Sequence, residues 1–182
     1  MRLTIILIFL AVMMQSVHSQ KLVSRNSHIW FSASTPLEDI LAHNRQAVSI
    51  LDPATGSLAF NLLVKSFEFK VALMQEHFNE NYLESDKYPK STFQGKINNN
   101  ADIDYKKDGT YKAEVSGDLT IHNVTHPVNT TGTIEVKEGV VTAKSQFIVK
   151  PVDYNITIPS VVENKIAKEV EVNIEATYAE NK

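Results

Sequence analysis

The residues of this chain with chemistry to offer are its six histidines and a run of carboxylates. His122 and His126 flank a short connection. Facing each other across a hairpin they could hold a metal ion, but on one continuous strand they would stand about 13 Å apart, too far to share it. The chain has no cysteine, and no third ligand lies near the pair in sequence, so a tetrahedral site is not completed. His77 falls on the apolar side of a predicted helix, as a hydrogen-bonded core or mouth residue. His28 sits at the start of a predicted strand, meeting either solvent or a ligand head group. Glu76, Glu80, Glu84 and Asp86 form an acidic face around the helix, with Lys87 and Lys90 in partial compensation, which a solvated surface explains. No serine has a nucleophile-elbow context, and no Ser/His/Asp set stands out. The residue types therefore point away from an enzyme, a metal and a cofactor.

The elements that must position these residues are mostly strands. Val170, Val172, Ile174, Ala176 and Tyr178 alternate with Glu169, Glu171, Asn173, Glu175 and Thr177, the period of a strand with one wet face. Tyr111, Ala113, Val115, Gly117, Leu119 and Ile121 repeat the pattern, and Val141 to Val149 does so more weakly. Further strands are predicted over Ile29 to Ala33, Ala47 to Leu51, Ser57 to Lys65, Thr92 to Asn98 and Val128 to Val136. Asp52-Pro-Ala-Thr-Gly56, Lys107-Asp-Gly109 and Lys137-Glu-Gly139 have hairpin chemistry. A slip of phase between Val64 and Phe67 predicts a bulge or bend. Leu73, Met74, His77, Phe78 and Tyr82 recur at helical spacing, so Val71 to Leu83 is predicted as the one helix. Pro151 and Pro159 mark an irregular excursion before the last strand.

About eight strands with short turns and one short helix predict an all-β fold, a closed eight-stranded antiparallel β-barrel. Such a barrel is either filled by side chains or just wide enough for one small ligand. Gly95, Gly117, Gly132, Ala113, Ala143 and Ser145 are small residues on the apolar faces. They would leave space along the axis, or the glycines would mark bends at barrel corners.

Arg2 followed by the apolar run Leu3 to Met14 and by Val17-His18-Ser19 has the form of a secretory signal peptide, with cleavage after Ser19. The run is too short to span a bilayer, which needs roughly twenty residues. Residues 1–19 are thus assigned to the signal and 20–182 to one barrel domain, secreted or periplasmic, with no stable membrane insertion after cleavage. Loss of Arg2 leaves 17 basic residues against 21 acidic ones, a net charge of −4. That balance excludes nucleic acid as an expected partner. The oligomeric state is open, a homodimer being compatible with the sequence.

Two blocks carry a resemblance. Tyr82-Leu83 and Tyr88-Pro89-Lys-Ser-Thr-Phe93 match a paired aromatic and a Tyr-Pro-x-x-x-Phe motif. Gly117-x-Leu119-Thr120-Ile121 followed by Val124-Thr125-x-Pro127-Val128 is similar to G-x-L-T-I-x-G-V-T-x-P-V, with Asn123 in the place of the glycine. In these blocks the chain resembles the YceI family of periplasmic proteins, and the resemblance implies that family's extended, lipocalin-like antiparallel β-barrel. It departs near the start, where Arg25 precedes an inverted Ser27-His28 pair and His43 stands in for a second histidine.

The resemblance implies a binding protein holding a long-chain isoprenoid, an isoprenoid quinone or another apolar ligand inside the barrel. Such a site needs a dry tunnel and something at its mouth for the head group. The candidate lumen and mouth residues are Phe60, Phe67, Phe69, His77, Phe78, Tyr82, Phe93, Leu119, Ile121 and Phe147. The alternative is a filled barrel serving as an envelope-stress or interaction protein without a small ligand.

Overall fold

The computed structural model describes residues 20–35, 39–158 and 167–178; the signal segment 1–19 lies outside them. Nine strands occur among the described residues: β1 Leu22–Ser34, β2 Asp39–Leu51, β3 Ser57–Leu63, β4 Glu68–Phe69, β5 Lys90–Ile97, β6 Gly109–Ile121, β7 Val124–Lys137, β8 Val140–Val149 and β9 Val170–Tyr178. They follow the order β1-β9-β8-β7-β6-β5-β3-β2, and β1 pairs with β2 to close the ring. Every pairing is antiparallel. The result is a closed eight-stranded antiparallel barrel, with β4 added as a two-residue flap beside His43 and Ala42 of β2. Closure gives the edge strands a partner, which an open sheet would leave exposed.

Local chemistry explains the joints. His122 and Asn123 both take positive φ, 51° and 60°, forming a two-residue primed turn between β6 and β7 in which Ile121 pairs with Val124. Glu138 and Gly139, at φ 51° and 79°, do the same between β7 and β8. The phase slip after β3 is a 3-10 turn, Val64–Ser66. Lys107-Asp108-Gly109 closes no tight hairpin, in contrast to the sequence reading. The β5–β6 connection covers residues 98–108, and it lays buried Ile103 and half-buried Tyr105 against the core. Several strands also extend past their sequence limits. β2 begins at Asp39 rather than Ala47, because its outward positions Leu41, His43 and Arg45 mix polar and apolar types and blur the alternation.

The predicted helix forms in two parts: α1, Ala72–His77, runs directly into a π-helical turn, Phe78–Tyr82. The wider turn is fixed where Leu83 N–H donates to the Phe78 carbonyl at 2.9 Å. Asn79 Nδ2 also donates to the Gln75 carbonyl at 2.9 Å.

At the end of the barrel opposite the helix, the core is tight. Tyr178 is fully buried and its hydroxyl lies 2.6 Å from Ser49 Oγ, also fully buried. Burial pushes the Tyr178 phenol far up, with the hydrogen bond to Ser49 opposing. Tyr105 is held up at about 12 by burial and donates to Asn100 Oδ1 at 2.7 Å. Leu51, Ile97, Ile134, Val136 and Val141 complete this closed end.

Candidate functional site

A cavity of about 540 Å³ runs down the barrel axis, within the range of small-molecule sites, about 300–1,000 Å³. Its wall follows β6 from Ile121 to Ala113, roughly 26 Å of strand at ~3.3 Å per residue. A tilt of about 40° reduces this to an axial depth of ~20 Å. The filled-barrel alternative needs a lumen packed with side chains, and the lumen is open.

Inward alternation aims the wall residues. Phe60 comes from β3, Phe93 from β5, Leu119 and Ile121 from β6 and Phe147 from β8; Phe67 and Phe69 follow the 3-10 turn; His77, Phe78 and Tyr82 come from the helical segment. All ten candidates line the cavity. Phe60, Phe67 and Leu119 are buried, whereas His77 is exposed at the mouth. Partial burial raises the Tyr82 phenol above its usual value. Of the small residues, Ala113, Gly132, Ala143 and Ser145 line the cavity, so they do leave room. Gly95 and Gly117 instead pair across β5 and β6, where the Phe93 ring tip lies over both.

Several wall residues escaped the sequence reading of the site, Phe31 and Met74 among them. Phe31 of β1 stacks on Phe78 at 5.5 Å and meets Phe67 and Phe69 edge-on at 5.3 and 5.9 Å. Phe78 also contacts Phe67 and Phe69, at 5.6 and 5.0 Å. Each such pair contributes about 0.5–1.5 kcal/mol beyond area burial, so the four rings clamp the helical segment onto β1 and β4. The alternation Ile29, Phe31, Ala33 held the signal. Met74, one helical turn before Phe78, also faces the cavity.

The histidines take other roles. His28 and His43 point away from the lumen and meet outside it, Nε2 to Nδ1 at 3.0 Å, with His28 stacked on Trp30 at 4.5 Å. Burial, the Arg45 charge and His43 hold the His28 imidazole below its usual range, against a raising influence of Glu175. This pair therefore meets no head group. His122 and His126 do not converge. His122 Nε2 lies 2.8 Å from Glu84 Oε2 and its Nδ1 lies 3.1 Å from the Tyr154 carbonyl oxygen. His126 Nε2 lies 2.7 Å from the Asp153 carbonyl. The described residues contain no group of three His, Cys, Asp or Glu placed to hold a metal ion. The Tyr154 carbonyl belongs to a 3-10 turn, Pro151–Tyr154, after β8. His122 thus ties that turn to the segment leaving the helix.

A closed antiparallel barrel with a one-ended apolar lumen, capped by a short helix, defines the class: a lipocalin-like cavity barrel. Within that class the chain belongs to the YceI-like domain family, whose model matches residues 21–178. Comparison with curated proteins gives no match. Among solved structures, a polyisoprenoid binding domain from Saccharophagus degradans is similar, with a TM-score of 0.75 at 14% identity, covering 87% of this chain and 97% of that one. BcnA from Burkholderia cenocepacia gives 0.70 at 18% identity, over 84% and 96%. The YceI protein of Campylobacter jejuni gives 0.58 at 18%, over 78% and 85%. At these identities the likeness is one of fold.

Proposed function

We propose that this protein is a secreted or periplasmic carrier that holds a long apolar amphiphile of the polyisoprenoid or isoprenoid-quinone type in its lumen, without catalysing a reaction. The observation that carries the reading is the cavity itself: about 540 Å³, walled mostly by aromatic and aliphatic side chains, with exposed His77 and half-buried Tyr82 on its lining. Among the described residues no carboxylate lines it, and each buried methylene of a ligand contributes roughly 0.8 kcal/mol. The ten lumen and mouth residues named from the sequence are the proposed contacts, with the head group beside His77 and Tyr82. Membership in the YceI-like family supports the reading, as does the polyisoprenoid binding assigned by name to the Saccharophagus degradans relative. Release from the membrane after cleavage at Ser19 completes the proposal. No helix among the described residues is long and apolar enough to cross a bilayer.

The test is organic extraction and native mass spectrometry of protein purified from its own host, followed by reloading with farnesol in vitro. Recovery of a lipid and uptake of farnesol are expected. Ala143→Phe, which fills the lumen, is expected to lower farnesol uptake while the protein stays folded. Ligand-free protein that takes up no prenol would overturn the proposal.

A further inference from the structure

Phe93 occupies a singular place in the lumen. Gly95 and Gly117 pair across β5 and β6, and a Cβ on either one would come within 2.6 Å of Phe93 Cζ. The two missing side chains leave a notch in the wall, and the Phe93 ring lies down in it along its own strand. A Cβ at either position would also run into the facing backbone, at Ser116 O from position 95 and at Gln94 O from position 117. Phe93 also belongs to both apolar clusters of the interior. The first cluster runs from Ile97 and Ile134 at the closed end up to Phe67, Phe69 and Phe78 under the helix; the second gathers Leu119, Val149 and Tyr154 on the side of the β6–β7 turn. Among the described residues only Phe93 and Val172 pack against both. By register Phe93 pairs with Phe60 and Leu119, below Ile121 and above the Ile97–Val115 pair, so the ring stands at mid-depth in the cavity that all of these residues line, and the space beside it joins the upper and lower halves.

Resting on the proposed carrier function, we propose that Phe93 is the residue that sets ligand length: seated on the Gly95–Gly117 notch, its ring determines whether an apolar chain passes from the upper half of the lumen to the lower. A short chain is held above the ring and is indifferent to it. A long chain must pass it, so its affinity depends on the bore that the side chain at position 93 leaves.

The experiment measures binding of three prenols of increasing length, farnesol, geranylgeraniol and solanesol, to delipidated wild-type protein and to F93L and F93W. Leucine lacks the ring and widens the passage; tryptophan overfills the notch and narrows it. F93W is expected to weaken solanesol at least about tenfold while leaving farnesol within about twofold, and F93L to shift the ratio the opposite way. Circular dichroism checks folding, and if F93W does not fold, F93L and F93A give the same ordering, with the longer chain favoured more as the side chain shrinks. An unchanged solanesol-to-farnesol ratio across the variants, with wild-type protein binding all three prenols, overturns the role of Phe93 and leaves the carrier function standing. Wild-type protein that binds none of the three overturns the carrier reading and this inference with it.

Discussion

His122 and Glu84, 38 residues apart in sequence, meet through a 2.8 Å contact between Nε2 and a carboxylate oxygen, with the imidazole only 9% exposed. The same ring reaches the Tyr154 carbonyl with its other nitrogen and packs edge-on against Tyr88, 4.3 Å between centroids. Three segments that border the cavity mouth are thereby held by one side chain: the exit from the helix, the β6–β7 turn and the turn after β8. Leu83, next to Glu84, and Ile156, shortly after Tyr154, both line the cavity.

His122→Ala is expected to destabilise the fold by about 2 kcal/mol, through lost hydrogen bonds to Glu84 and Tyr154. Backbone conformation separates two contributions here. The φ of 51° at His122 suits glycine, and a residue with a Cβ pays roughly 1 kcal/mol there. His122→Gly should therefore be the milder variant. Urea denaturation of both measures the order, and an alanine variant more stable than the glycine one would contradict it.

Acid should loosen the same contact. The Glu84 carboxyl lies below its usual 4.5, chiefly through the hydrogen bond from His122, with the Lys87 charge adding to it and burial opposing. The folded value is the lower one, so between the two values the unfolded chain binds more protons and stability rises with pH. The contribution is complete above 4.5 and is lost as pH falls through the lowered value. Glu84→Gln should remove it: the stability difference between wild type and variant stays constant at neutral pH and shrinks in acid. A difference that grew on acidification would refute the assignment.

At the closed end, Tyr178→Phe is expected to cost about 1–3 kcal/mol, since Ser49 Oγ is left buried without its partner. Removing both hydroxyls, with Ser49→Ala and Tyr178→Phe together, should cost less than the sum of the single changes. Thermal melts of the four proteins close the cycle. Additive losses would mean that the 2.6 Å contact carries no coupling.

Much of the barrel was legible in the chain because strand alternation is local. Val170 to Tyr178 and Tyr111 to Ile121 declare their inward faces two residues at a time, whatever pairs with them. Turn chemistry at Lys137-Glu-Gly139 is equally local. For that reason inward aromatics such as Phe60, Phe93 and Phe147 are legible in the chain, whereas Phe31 on β1 is less so. β1 was harder, because its register with β2 shifts between Ser24 and Ser27 and again between Ser27 and Ile29, so the stretch where the motif departs has no steady period.

The sequence by itself determined the strand-rich class, the inward sets on each strand, the helix and the absence of cysteine chemistry, all of which depend on neighbours within a turn or two. Tertiary structure alone decided the rest. Pairing of β1 with both β9 and β2 closed the ring, and that closure turned separate apolar faces into one cavity. It turned His28 and His43 outward toward each other and brought His122 to Glu84 rather than to His126. It also laid Phe93 on two glycines whose spacing in sequence gives no sign of their contact. Each of these depends on which distant strands lie side by side, a non-local relation that a one-dimensional period cannot carry.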